Sequence, residues 1–251
     1  MSDLLSSSAP SQDTPRRRRS SLTAYALFVL LAYFLTAYLL APFAWKRHFA
    51  RHPALDDVPG VTRTGSGIPG DPINVALIGS KSDVIKIMLA AQWDPADPLS
   101  WRSSLEIAAA TVLRRRYPDA PVSNLYLWGR KEDLAFEQPV GPDPKKRHHV
   151  RFWRSDKLDE QGRAVWVGSA TFDIKVGLSH TTGQITHHID GDVDTERDHL
   201  FANLKATGDL SEQYAIPNFH TIKQGRNGGG DAWKTDGQLS VGVIEIKSEP
   251  R

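Results

Sequence analysis

No charged residue stands between Ser20 and Trp45; Arg16–Arg19 precede that run, and Lys46, Arg47 and Arg51 follow it. From Leu22 it reads LTAYALFVLLAYFLTAYLLAPFAW. A ~30 Å hydrocarbon core is crossed by about 20 apolar helical residues, so this segment can span a bilayer with some tilt. Tyr25, Tyr38 and Trp45 lie near its ends, where aromatic rings favour the headgroup level. A core helix has no need of such charged flanks. A cleaved signal carries an apolar region of about 7–15 residues and a small-residue cleavage site. This run is longer, and Ala41-Pro42-Phe43-Ala44 is a poor site. The reading is an uncleaved single-pass transmembrane helix over residues 20–45, behind a disordered basic tail over residues 1–19. Four arginines before the run against three bases after it favour a cytoplasmic amino terminus with the large domain outside.

The rest of the 251-residue chain is of a usual size for one domain. Its formal net charge of +2 is misleading. Arg16–Arg19, Lys46 and Arg47 hold six of the 31 bases, and Asp3 and Asp13 two of the 29 acids, so the part beyond residue 48 is near −2. Whole-chain basicity is therefore no argument for nucleic acid, and none is expected as a partner. The absence of cysteine excludes disulfides, thiolate metal sites and a cysteine nucleophile.

Residues 46–72 read as a Gly- and Pro-rich linker, and residues 73–248 as the soluble domain. INVALIG is a short buried strand. Ser80 with Asp83 resembles a capping pair opening a helix whose apolar stripe is Val84, Ile85, Met88 and Leu89. A second helix is expected over Ser104–Arg116, ended by Pro118. NLYLWG, HHVRFWR, AVWVGSATFD and QITHHID read as strands. A third helix runs from Asp192 to Thr207, with Gly208 at its end. YAIPNFHTI and LSVGVIEIK follow, separated by the turn or mobile loop GRNGGGD. The expected fold is mixed α/β: one mostly antiparallel sheet and about three helices behind the transmembrane helix.

Several of these stretches, in this order, carry a resemblance: INVALIGSKSDVIKIMLAAQWDPADP, RSSLEIAA, APVSNLYLWGRKEDLAFEQPVG, KKRHHVRFWR and ATFDIKVGLSHTTGQITHHIDGDVDTERD. Together they resemble the LssY C-terminal domain family over roughly residues 55–248. In that family the domain stands behind a membrane segment or is fused to DedA-type proteins and type-2 phosphatidic acid phosphatases. The resemblance implies a bacterial envelope setting and lipid-phosphate chemistry nearby; together with the arginine asymmetry, the expected location is the inner membrane with a periplasmic soluble domain. It brings no activity and no catalytic residue.

Seven of the nine histidines fall between His148 and His220. Strand alternation puts His148 with Val150 and Phe152, and His149 with Arg151 and Trp153. It puts His187 in phase with Ile185 and Ile189, His188 with Thr186 and Asp190, and His180 with Val176 and Leu178. His148, His180 and His187 are thus candidate ligands for a divalent metal such as zinc, with a fourth position left for water. The other face offers a candidate catalytic set of His149, Arg151, His188 and Asp190, a general base beside an arginine that holds phosphate. Buried, hydrogen-bonded structural histidines are the plainer alternative, and a one-residue slip would exchange the faces.

Asp190-Gly191-Asp192-Val193-Asp194 fails as a calcium loop, because Thr195 and Phe201 stand where Gly and Glu are required; capping of the following helix accounts for the acids. Gly79-Ser80-Lys81-Ser82 lacks the first glycine of a phosphate loop. Arg114–Arg116 complement a helix end. Lys145, Lys146, Arg147, Arg151 and Arg154 form a candidate strip for anionic lipid headgroups. The functional expectation is a membrane-anchored accessory or binding domain working on or beside anionic or phosphorylated lipids. Its partners would be the bilayer and a DedA- or phosphatidic acid phosphatase-type protein. The alternative is a metal- or histidine-dependent phosphoester hydrolase built on the two His-His pairs, which leaves open whether the protein is an enzyme.

Overall fold

The computed structural model of the chain describes residues 16–41, 54–96, 124–141, 146–181, 183 and 185–247. Residues 1–15 of the expected disordered tail over 1–19, the helix over Ser104–Arg116 and the bases Arg114–Arg116 and Lys145 lie outside the described residues; Arg16–Arg19 of that tail are instead the first turn of a helix. The chain divides into two compact units, Met1–Arg51 and His52–Arg251.

In the first unit, α1 (Arg16–Leu35) continues into a π-helical turn (Thr36–Leu40) closed by the Ala41 amide on the Thr36 carbonyl. Leu22–Leu40 is long and apolar enough to cross a membrane. Leu22, Phe28, Tyr33 and Leu39 are all exposed, as expected of a helix apolar on every side with no protein face to bury.

The second unit is mixed α/β. Among the described residues its strands are β1 (Val61–Thr64), β2 (Pro69–Pro72), β3 (Val75–Ile78), β4 (Asp94–Pro95), β5 (Leu125–Leu127), β6 (Arg130–Lys131), β7 (Leu134–Pro139), β8 (Arg147–Leu158), β9 (Ala164–Leu178), β10 (Ile185–Ile189), β11 (Leu210–Ile216), β12 (Gln224–Arg226), β13 (Ala232–Lys234) and β14 (Leu239–Ile244). Its described residues also include the helices α2 (Lys81–Ala90) and α3 (Val193–Thr207). An eight-stranded sheet runs β11-β14-β3-β9-β8-β7-β4, with β10 paired to the far part of β9. A four-stranded sheet runs β2-β1-β5-β6, and β12 pairs with β13. Among the described residues, β14 and β3 are the one parallel pair within these sheets.

The linker reading of residues 46–72 needs correcting from residue 54 on. Ala54 and Leu55 are buried in the domain core, and β1 and β2 form a hairpin. Two prolines disguise β2, yet it is the edge of its sheet, where a missing N–H is tolerated. YAIPNFHTI is a strand only as far as Ile216, because Pro217 opens a turn.

Local chemistry explains the helices. Ser80 accepts from the Asp83 amide, while Asp83 accepts from the Ser80 amide, a reciprocal capping box on α2. Asp192 caps α3 through the Thr195 amide, and Gly208 ends it at φ 78°. Both helices lie on one face of the large sheet. Val84, Ile85, Met88, Leu200, Phe201 and Leu204 pack against Phe136, Val150, Phe152, Trp166 and Ala170. On the other face Ala76, Trp153, Val165, Val167 and Val241 pack with Leu125 and Leu127 of the small sheet. Asn74 joins the layers: its Nδ2 donates to the Ala170 and Val193 carbonyls at 2.9 Å each, and its Oδ1 accepts from the Ala170 amide at 2.8 Å.

Candidate functional site: a polar cavity beside an Asp-His-His cluster

The face of β8 that carries Trp153 turns polar toward its start. Arg147, His149 and Arg151 point there and pair across β9 with Asp173, Thr171 and Ser169. On the other side of β8, Glu137 is opposite His149. All seven are buried. Such burial is tolerated only where charges are paired, and Arg147 meets that condition. It donates to Glu137 Oε2 at 2.8 Å and to Asp173 Oδ2 at 3.0 Å. Asp71 of β2 reaches Arg151 at 3.5 Å and accepts from Asn227 Nδ2 at 2.9 Å.

Burial pushes the Asp173 carboxyl up to about 6, against the opposing pull of Arg147 and Arg151. Burial likewise raises Asp71 and Glu137. The imidazoles move down: burial, then the charges of Arg147 and Arg151, take His187 to about 4. His149, buried and close to Arg151 and Arg147, lies well below its ordinary value. Its Nε2 has no hydrogen-bond partner among the described residues. Both rings are therefore neutral near neutral pH.

Arg151, Asp173, Asp71, His187, Ser179 and Asn227 line a cavity of about 330 Å³, with Gly228 and Gly229 bringing bare backbone to its wall. A second group lies next to it. His188 Nδ1 and Asp231 Oδ1 are 2.7 Å apart, and Asp231 Oδ2 accepts from the Ile189 amide at 3.2 Å. The His180 ring is 5.1 Å from that of His188. One ligand atom from each of His180, His188 and Asp231 lies within 4.8 Å of the others. The Asp231 amide donates to Asn227 Oδ1 at 2.9 Å, which connects this group through Asn227 to Asp71 and the cavity.

The predicted residues are thus regrouped. His148, His180 and His187 do not converge. His148 is on the helix face, 2.7 Å from Glu196 and stacked on His199 at 3.8 Å between centroids. His187 faces the cavity and takes Arg147 Nη2 at 3.1 Å. His180 lies on an exposed turn beyond the end of β9, where strand phase no longer applies. The set His149, Arg151, His188 and Asp190 is also divided. β8 and β10 pair with opposite edges of β9, each meeting it at Asp173, so His149 and His188 are on different strands with β9 between them. Asp190 is exposed and accepts from the Asp192 amide. The basic strip is not one surface: Lys146 and Arg154 are exposed, whereas Arg147 and Arg151 are buried among carboxylates. Asp71, Asp173 and Asp231 went unrecognised in the sequence. Asp173 was accessible in principle as an acid in phase with the bases of the neighbouring strand, and Asp231 as the polar residue that follows a glycine run.

The family described as LssY C-terminus matches residues 55–239. The chain belongs to that family. The matched range contains every residue of the cavity and of the Asp-His-His cluster. No curated protein and no solved structure matches the chain.

Proposed function

We propose that this LssY C-terminus domain is a binding module for the polar headgroup of a phosphorylated or anionic lipid. In this reading Leu22–Leu40 is a single-pass anchor in a bacterial inner membrane, and the domain works on the periplasmic side. The cavity carries the proposal. At about 330 Å³ it is at the small end of the ~300–1,000 Å³ range of ligand clefts, a size for a headgroup without its acyl chains. Its lining offers both signs. Arg151 suits a phosphate oxygen, while Asp71, Asp173 and Ser179 suit the hydroxyl or ammonium groups of the same headgroup. The buried ion pairs hold these groups in place before a ligand arrives, which lowers the ordering cost of binding. A DedA- or phosphatidic acid phosphatase-type partner would supply or consume such a lipid.

The test is calorimetric titration of the full chain in detergent micelles with a water-soluble short-chain phosphatidic acid. Saturable binding is expected, weakened about tenfold or more by Arg151→Gln, the scale of losing a charge-assisted hydrogen bond. Thr186→Val, which alters the cavity wall without touching a buried charge, should weaken it less. Equal uptake of an uncharged diacylglycerol analogue, or indifference to both substitutions, would sink the reading.

Asp173 favours a second reading, phosphoester hydrolysis. A cavity carboxyl held at about 6 can exchange a proton near neutral pH. That reading predicts slow phosphate release from the same lipid, abolished by Asp173→Asn; an inert wild-type protein would dispose of it.

A further inference from the structure

We propose that His180, His188 and Asp231 form a binding site for a divalent transition-metal ion of the zinc class. This does not rest on the headgroup reading. Two imidazoles and one carboxylate are a ligand set for zinc and its neighbours, not for calcium or magnesium, which take all-oxygen shells. Zinc holds nitrogen and oxygen ligands at ~2.0–2.2 Å, which sets ligand atoms of a tetrahedral shell about 3.3–3.6 Å apart. The three donor atoms lie within 4.8 Å of one another, so the remaining contraction is about 1 Å. His188 Nδ1 and Asp231 Oδ1, hydrogen-bonded at 2.7 Å, are closer than the tetrahedral spacing, and a metal bound through these two atoms replaces their hydrogen bond and opens them by roughly 0.6–0.9 Å. The closing movement belongs to His180, which is exposed on its turn and so is the ligand with freedom to make it.

The surroundings are shaped for these side chains. A Cβ on Gly177 would stand 2.9 Å from His188 Nε2, and one on Gly230 2.7 Å from the Cβ of His180. Gly230 also has φ +88°, a backbone region that residues with a Cβ rarely adopt. The His180 amide donates to the Gly229 carbonyl at 2.8 Å, which fastens the turn to the loop that carries Asp231. The Ile189 amide fixes the orientation of the Asp231 carboxylate, the kind of outer hydrogen bond that orients metal ligands.

Each ligand is within two residues of the cavity wall: Ser179 beside His180, His187 beside His188, and Gly229 two residues before Asp231. A metal here joins the turn after β9, strand β10 and the glycine loop into one rigid wall. Three protein ligands leave a fourth position for water.

The experiment uses the full chain in detergent micelles, made without affinity histidines, stripped with chelator and titrated with Co(II) alone and then Zn(II) alone. The expected result is one equivalent of Co(II) with the visible absorption of a four-coordinate site, displaced by zinc. His180→Ala removes an exposed side chain and so preserves the fold; it should weaken binding at least tenfold. Asp231→Asn should do the same, while His199→Gln, a histidine on α3 outside the set, should not. Absence of a Co(II) spectrum, or binding unchanged in folded His180→Ala, overturns the proposal.

Discussion

Arg147 donates a hydrogen bond to Nε2 of His187 across 3.1 Å. A guanidinium has no acceptor to offer in return, so His187 carries its proton on Nδ1 and remains a neutral ring. Protonating it would put two cations in contact inside the domain.

This relationship sets an acid limb. His187 ionises at about 4 in the folded chain against 6.5 for a free histidine, and His149 moves in the same direction. The unfolded state binds more protons in that window, so stability is full above pH ~6.5 and falls as the pH drops toward 4. Asp173, raised to about 6, acts with the opposite sign between 3.8 and 6, and Asp71 and Glu137, also raised by burial, add to it, so the three acids partly offset the loss. Urea midpoints measured from pH 7 to 4.5 should fall for the wild type. They should fall less for His187→Gln.

Arg147 holds two buried carboxylates at once. Arg147→Ala leaves Glu137 and Asp173 without their counter-charge and should cost about 3–5 kcal/mol. Equilibrium unfolding followed by tryptophan fluorescence reads this directly, because Trp93, Trp153 and Trp166 are all buried. A loss below 1 kcal/mol would mean that both acids are already protonated.

Asn74→Ala should cost about 2–5 kcal/mol, since it strands the amide and carbonyl of Ala170 in the interior and takes from the Val193 carbonyl the bond that ties the α3 start to the sheet. Asn74→Asp should be worse still, because a carboxylate accepts from the Ala170 amide but cannot donate to either carbonyl. Denaturant midpoints of the two variants, ranked against wild type, check the order.

The cysteine-free sequence gives a clean route to topology. Glu160 is exposed in the turn between β8 and β9. In intact spheroplasts, a membrane-impermeant maleimide should label Glu160→Cys at once. Labelling that requires permeabilisation would put the domain in the cytoplasm instead.

Periodicity in the sequence was a good guide wherever a strand or helix was long. The alternation on β8 correctly separates His148 from His149 and Arg151, because eight residues of regular pairing with β9, from Arg147 to Arg154, leave no freedom of phase. The period breaks on β9. There β9 advances two residues, Asp173 to Lys175, while β10 advances one, His188 to Ile189. This bulge, at Ile174, reverses the phase of the β9 residues beyond Asp173, so Val176 and Leu178 are no guide to where His180 faces, whereas on β10 His187 and Ile189 stay in phase and both line the cavity. His180 is misplaced for a related reason: β9 ends at Leu178, and the turn beyond it obeys no period. Asp231 reaches His188 across 43 residues of sequence, a juxtaposition that only tertiary folding creates. The fold class survives these local errors because it depends on the number and order of elements.

The parallel pairing of β14 with β3 has a consequence for the order of events during synthesis. Val75 lies opposite Ser240, so one edge of β3 stays open until the ribosome has added the better part of the domain. At ~5–20 residues per second that interval is on the order of 10–30 s. Over that time a strand of four buried residues, Val75–Ile78, offers unpaired amides and apolar side chains to any neighbour. A nascent chain of this kind is a natural client for a holding chaperone, and truncation before Leu239 should convert it from a slow folder into an aggregating one.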